Sequence, residues 1–408
     1  MADIAALKSR VDAAVASDTD HLIGISRQIH GRPELAFEER HAHDLLTGAL
    51  EDAGFQVERS AFGLDTAFAA RVGSGDGPLV AILCEYDALP GIGHACGHNV
   101  IAAAGLGAGL AAARFAEELG GSLVVLGTPA EEGGGGKVMM AERGAFEGVD
   151  AALMIHPAGL DLARFGAIAI QQVAVTYRGH AAHAAAAPHL GRNALDAAVL
   201  GYVNVAALRQ HILPTERIHG IFTDGGRAPN VVPESASTFW YVRSPTVAGL
   251  AALKERVMAA LEAGATATGC TVEHEWQHPA YADMVDNDVL VDLYRQNVER
   301  TGRTLVEPDD QIKVVGSTDM GNVSHLVPSI HPTIAVSPPN VPIHTTDFER
   351  FAGGSEGDRA VIDGARTLAG MVVDLWVDRS LLTAVKEDFA AARAAGRASG
   401  RASVLTGS

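Results

Sequence analysis

Residues 79–84, Leu-Val-Ala-Ile-Leu-Cys, form an unbroken apolar run that stops abruptly at Glu85-Tyr86-Asp87. A short apolar run without polar alternation reads as a strand buried on both faces, and such strands belong to parallel sheets covered by helices. Residues 100–113 are small and apolar, as expected of a helix packed closely on a sheet. The turn between them, residues 85–99, is crowded with carboxylates, imidazoles and one thiol. It falls at the carboxyl end of a buried strand, where open α/β sheets place their ligands.

The same texture recurs on either side. Helices are expected over residues 4–16 and 37–54 and a strand over 66–72. Residues 121–129 give another apolar strand, followed by Glu131-Glu132 and four consecutive glycines. Strand, helix, strand in this order predicts a parallel α/β layer. From about Ala167 the pattern changes. Residues 168–177 alternate like a half-exposed strand, 193–210 are helical, 235–242 form a strand, 246–268 a long helix and 271–276 a strand. We read these three strands and two helices as parts of the β-α-β-β-α-β order of a small ferredoxin-like sandwich. Helical spacing resumes over 285–301, an apolar strand covers 331–336, and 358–377 is an amphipathic helix. The fold class is therefore α/β, one α/β domain (1–167 and 280–390) interrupted by an α+β insert (168–279). The remaining residues, 391–408, are Ala/Gly/Ser-rich with spaced arginines and are expected to be a flexible tail. There is no internal repeat.

Composition narrows the partners. A chain of 408 residues with 48% hydrophobic content can bury a large core. Lys+Arg 31 against Asp+Glu 49 leaves a formal charge of −18, which argues against nucleic acid or an anionic membrane as partner. No apolar stretch is long enough to span a bilayer, and residues 1–10 lack a secretory pattern, so a cytoplasmic location is expected. Cys84, Cys96 and Cys270 are too few for a disulfide framework.

Cys96 and His98 flank Gly97 in a turn, so both side chains can face one ion, and thiolate with imidazole suits a borderline-soft divalent metal. A Cys-x-His pair alone is more often packing than ligation. Glu131-Glu132 shifts the balance, because adjacent carboxylates at a strand end repel each other unless a cation neutralises one. One can then ligate while the other faces an attacking water. His156 follows the apolar run 151–155, and His344 precedes the last long helix. Singly, each could be a hydrogen-bonded core histidine; together with Cys96, His98 and Glu132 they make a coherent ligand set.

The ordered motifs Asp87-Ala88-Leu89-Pro90, His94-Ala95-Cys96-Gly97-His98, Glu131-Glu132-Gly133, Ile155-His156-Pro157 and His344 before Phe348 resemble the amidohydrolase branch of the aminoacylase and glutamate-carboxypeptidase-like metallopeptidases, peptidase family 20. That branch includes auxin-conjugate and aminobenzoyl-glutamate hydrolases, and the wording of residues 85–99 is most similar to its β-alanyl-lysine dipeptidase subgroup. The resemblance implies an α/β sandwich with a dinuclear metal site and an inserted ferredoxin-like lid and dimerisation domain. It implies two divalent ions, zinc or manganese, with Cys96 shared between them. His98 and His156 complete one site, and Glu132 and His344 the other. Glu131 is then the general base, and Asp87 orients a ligand. Glu85 departs from the wider family, which often has a ligand histidine there, and Asn99 from the commoner Asp.

In the insert, residues 179–184 with Pro188 and 193–195 look like the family's lid segment. The resemblance implies that His183 stabilises the oxyanion in the partner subunit of a homodimer. Asn230 matches a lid asparagine that contacts substrate, or is a turn residue before a strand. Arg243 could bind a substrate carboxylate or be a solvated strand end. Residues 316–322 resemble a loop beside the metals, or cap a helix through Ser317 or Thr318.

The leading expectation is a metal-dependent hydrolase of a dipeptide or an N-acyl or N-aroyl amino acid. A cysteine-nucleophile hydrolase using Cys96 is the alternative, but it leaves Glu131, Glu132, His156 and His344 without a role. A non-catalytic scaffold of the same fold leaves the whole set unexplained.

Overall fold

The computed structural model describes residues 4–73, 75, 77–307 and 315–398. These fall into two compact units, one comprising the chain up to Gly166 and from Met284 onward, the other Ala167–Asp283.

The first unit is built on a six-stranded sheet. Its strands are β1 (Gln56–Arg59), β2 (Phe68–Gly73), β3 (Leu79–Cys84), β4 (Ser122–Gly127), β5 (Ala151–Leu153) and the short Ser329–Ile330, in the order β1-β2-β4-β3-β5-(Ser329–Ile330). β3 runs parallel to β4 and β5, whereas β1 and β2 pair antiparallel at one edge. The sheet is thus parallel at its centre and mixed overall, which corrects the expectation of a purely parallel layer. Side chains alternate across it as pleating requires. Val80, Ile82 and Cys84 enter one core, and Ala81 and Leu83 enter another on the opposite face.

The larger core is capped by helices Ile4–Ser17, Arg40–Asp52, His98–Ala113 and Ser355–Val377. Helix His98–Ala113 is buried along nearly its whole length and is made of Ala, Gly and a few larger residues. Small size lets it approach the sheet. A Cβ added at Gly105 would lie 2.6 Å from Cys84 Sγ, and one at Gly109 2.6 Å from a Val125 methyl. This close seat puts the amino end of the helix, and His98 with it, beside the carboxyl end of β3.

The second unit contains strands Ala169–Arg178, Arg217–Asp224, Ser235–Ser244 and Thr271–Trp276, with helices Ala194–Leu208 and Val247–Thr268 between them. Chain order is β-α-β-β-α-β and all neighbouring strands are antiparallel. Thr271–Trp276 and Arg217–Asp224 form the two edges. Strand Ser235–Ser244 alternates between buried and half-buried residues, sending Trp240 and Val242 into this unit's own core. Both helices start on side-chain caps, from Asn193 and Thr246.

Among the elements without a sequence expectation are helix Thr19–Gly31, strand β1, edge strand Arg217–Asp224 and the helices Gly136–Glu142 and Arg379–Ala394. Residues 391–394 of the expected tail are helical. Helix Arg379–Ala394, capped by Asp378, buries Leu382, Val385 and Ala392. Residues 399–408 lie outside the described residues.

Gly105→Val should clash with Cys84 and the β3 backbone, and so lower unfolding stability by about 1–3 kcal/mol in urea titration, with overpacking as the cause.

Candidate active site and metal centre

The site is assembled at the carboxyl ends of β3, β4 and β5. Glu85, Tyr86 and Asp87 leave β3 fully buried, and the chain then turns through residues 88–97. Gly97 ends this turn at φ +78, where a Cβ would come within 2.8 Å of the Pro157 ring. Only glycine meets both demands, and it brings Cys96 and His98 against the segment that carries His156.

Cys96 Sγ lies 3.4 Å from His156 Nε2, and His156 Nδ1 donates to the Pro157 carbonyl at 2.8 Å. His98 Nδ1 donates to Asp87 Oδ1 at 3.0 Å, so Nε2 is the nitrogen that can ligate once the ring is neutral. Burial lowers His98, but the charge and hydrogen bond of Asp87, with Cys96 beside it, outweigh this and raise His98 well above its ordinary value, so a metal would displace that proton. The other Asp87 oxygen accepts the backbone N–H of Glu132 at 3.0 Å. One carboxylate therefore ties the Cys-x-His turn to the paired glutamates. Glu131 and Glu132 follow Ala130, whose φ is +60 and whose N–H is held by Glu39 Oε1 at 2.9 Å. His344, also at positive φ (+64), docks through its N–H on the Ala95 carbonyl at 2.8 Å. Its Nε2 lies 3.2 Å from Glu132 Oε1. Two non-glycine residues in the left-handed region within one site mark backbone strain held by its surroundings.

The five proposed ligands come together in two groups, Cys96/His98/His156 and Cys96/Glu132/His344, with donor atoms within 4.8 Å of one another in each. Cys96 belongs to both. His98 Nε2 is buried without a hydrogen-bond partner and faces these groups. Thiol, imidazole and carboxylate donors fit zinc or another borderline divalent ion. A third group, Glu85/His98/Glu131, meets the same distance condition.

Charge is dense here. Burial, then the charges of Glu85, Glu132 and Asp319, push Glu131 well above the usual carboxylate range. Burial also raises Glu132, but the hydrogen bond from His344 and the charge of His98 outweigh it and hold Glu132 down at about 2. Burial and then the Glu132 charge drive the Cys96 thiol well above its ordinary value. A nucleophilic cysteine needs the opposite, an electropositive setting, so the cysteine-nucleophile alternative is not favoured.

Two residues that sequence reasoning did not use complete the surroundings. Lys137, fully buried on helix Gly136–Glu142, lies 2.5 Å from Glu85 Oε1 and 2.7 Å from Asp319 Oδ1. Its signal was a lone lysine between the glycine run and Val138-Met139-Met140-Ala141. His331, also fully buried, sits with its ring 5.3 Å from that of His156. Asp319 is a partner of Lys137, while Thr318 Oγ1 accepts the N–H of Met320 at 3.2 Å. Loop 316–322 thus contributes an ion-pair partner and a local hydrogen bond just before helix Met320–Ser324, whose N-cap position is Asp319 rather than Ser317 or Thr318.

His183, Asn230 and Arg243 lie in the second unit. His183 and Val231 form an isolated bridge, the Asn230 carbonyl accepts the Ala184 N–H at 3.0 Å, and His183 Nδ1 accepts the Ala186 N–H at 3.1 Å. His183 and Asn230 are both exposed and share one corner. Arg243 is half-buried, its guanidinium 6.0 Å over the Tyr241 ring, and its buried Nε lacks a hydrogen-bond partner.

A helix-covered sheet with a Cys/His/Glu donor set at its carboxyl edge defines a metal-dependent hydrolase. Residues 81–374 match peptidase family M20/M25/M40, and the chain belongs to that family. It is 39% identical over 402 residues to the Xaa-Arg dipeptidase of Mus musculus, covering 95% of this chain and 93% of the relative. It is 31% identical to one of the polypeptides of the p-aminobenzoyl-glutamate hydrolase of Escherichia coli K12, covering 93% and 94%. Its fold matches the crystal structure of a dinuclear metal binding peptidase from Bacillus subtilis with a TM-score of 0.71 at 20% identity, over 88% of this chain and 99% of that one.

Burial and the neighbouring His98 and His30 charges lower His94 to about 3. Against about 6.5 in the unfolded chain, its contribution is intact above pH 6.5 and is lost as pH falls toward 3. In chelator-treated protein, His94→Phe should therefore reduce the loss of unfolding free energy between pH 6.5 and 5 by roughly 1.5 kcal/mol.

Proposed function

We propose that this protein is a cytoplasmic, metal-dependent dipeptidase that hydrolyses the amide bond of dipeptides ending in a basic residue. The observation that carries the reading is the pair of donor groups sharing Cys96, with Glu131 beside them. Two divalent ions, zinc or manganese, would be held by Cys96, His98 and His156 and by Cys96, Glu132 and His344. When bound, such ions supply Lewis-acid polarisation of a carbonyl and acidification of water.

The chain's own residues do the rest. Glu131 accepts the proton of the attacking water and returns it to the leaving amine; burial and the surrounding carboxylates raise its proton affinity, and bound cations would lower it again so that it is ionised before the water attacks. Asp87 holds His98 in one tautomer and ring orientation while fixing the Glu132 backbone. Arg243, with an unpartnered buried Nε, is suited to a substrate carboxylate, and Asn230 to a further polar contact. The basic substrate residue is supported by the Xaa-Arg dipeptidase relative and by the acidic balance of the chain. Three free cysteines are in keeping with a reducing compartment.

We further propose a homodimer formed through the second unit. Helix Ala194–Leu208 exposes Val199, Leu200 and Val203, and edge strand Arg217–Asp224 exposes Ile221 at 62% and Phe222 at 41%. An unpaired edge next to an apolar helix face is a surface that a second copy would cover. In that assembly His183 would serve the partner subunit's pocket as an oxyanion donor.

Release of arginine, lysine or ornithine from a dipeptide panel is the expected result; release of glutamate from p-aminobenzoyl-glutamate would favour the alternative substrate. Activity should disappear on chelation and return with added metal, whereas a thiol hydrolase would survive. Glu131→Gln should lower kcat by at least about a hundredfold at unchanged metal content. Mixing Glu131→Gln with His183→Ala provides the test of sharing. Subunit exchange should restore activity through heterodimers with one intact site, and proven exchange without recovery would refute the shared pocket.

A further inference from the structure

The triad Glu85/His98/Glu131 competes with the proposed metal set, because it shares His98 and satisfies the same donor spacing. Glu85 Oε2 lies 3.5 Å from His98 Nε2, the atom assigned to a metal above. Neither Glu85 oxygen accepts a hydrogen bond of good geometry among the described residues, so what holds this buried carboxylate is charge. The charge comes from Lys137. Its ammonium stands 2.5 Å from Glu85 Oε1, with no exposure on either side chain. Lys137 is itself clamped twice by Asp319, whose Oδ1 takes the ammonium at 2.7 Å and whose Oδ2 accepts the backbone N–H at 2.9 Å.

A cation fixed against Glu85 answers the carboxylate's charge and repels a second cation approaching the same oxygens. We propose that Lys137 is a tethered counter-cation that holds Glu85 out of the metal-ligand set. The metal on His98 is then shared with Cys96 and His156 rather than with Glu85 and Glu131. Glu131 is thereby kept out of the ligand set and carries protons. Lys137 acts through Glu85 and is a positioning residue. The inference rests on the two-metal reading.

The test is metal retention, read on metal-loaded protein by elemental analysis after equilibration with graded chelator. With Lys137→Met, the buried Glu85 carboxylate has the metal on His98 as its nearest remaining partner. The chelator concentration that strips half the metal should rise at least about tenfold, the lower end of typical outer-shell effects on metal affinity. Lys137→Met with Glu85→Gln should return to the wild-type value, whereas the charge-matched pair Lys137→Met with Asp319→Asn should keep the gain. Retention in Lys137→Met at or below wild type overturns the proposal. So does a gain lost equally in both double variants, since net charge alone would then explain it. Should Lys137→Met not fold, Glu85→Gln alone decides. Retention within about threefold of wild type supports the proposal, and a larger loss makes Glu85 a ligand and overturns it. Wild-type protein that retains no divalent metal refutes the two-metal reading instead.

Discussion

Like charges cannot be buried together without cations among them, and Glu85, Asp87, Glu131, Glu132 and Asp319 gather with the Cys96 thiol at one edge of the sheet. The protein answers with Lys137 between Glu85 and Asp319, and with His98 between Asp87 and the paired glutamates. These answers are incomplete. Burial first, and the neighbouring carboxylates after it, push Glu131 and the Cys96 thiol well above their ordinary values. Divalent ions on the Cys96/His98/His156 and Cys96/Glu132/His344 groups would add the missing positive charge.

Backbone geometry carries the second part of the design. Gly97 lets Cys96 and His98 approach Pro157, and Ala130 and His344 are held at positive φ on either side of Glu132. Each strained residue has a fixing bond: Ala130 N–H to Glu39, His344 N–H to the Ala95 carbonyl. Glu39 is buried and accepts from Thr66 as well, so an acid remote from the donor groups steers the chain just before Glu131. A site held this way is pre-organised, and that limits the reorganisation cost of binding and reaction.

The second unit solves a different problem. It has its own core around Trp240, Tyr177 and Leu261, yet leaves an apolar helix face and an edge strand uncovered. A core that closes on itself while a neighbouring surface stays apolar separates folding from association.

Much of this was legible because the determining signals are local. The apolar run of β3 and the small residues of helix His98–Ala113 specified a buried strand and a close-packed helix, since pleat and helix periods act on neighbours in sequence. Cys96-Gly97-His98 and Glu131-Glu132 announced donors by adjacency. Strand β1 and edge strand Arg217–Asp224 escaped because they are largely exposed and carry no clean alternation; they are strands because a partner's ladder pairs them. Helix Thr19–Gly31 has a readable 22-25-29 stripe, weakened by glycine and β-branched residues. The meeting of His344 with Glu132 was implied by the family resemblance, whereas the pairing of Lys137 with Glu85 and Asp319 belongs to the tertiary structure alone. An ion pair is set by distance in space, and nothing in the local pattern of a chain encodes which distant residue will stand opposite a buried charge.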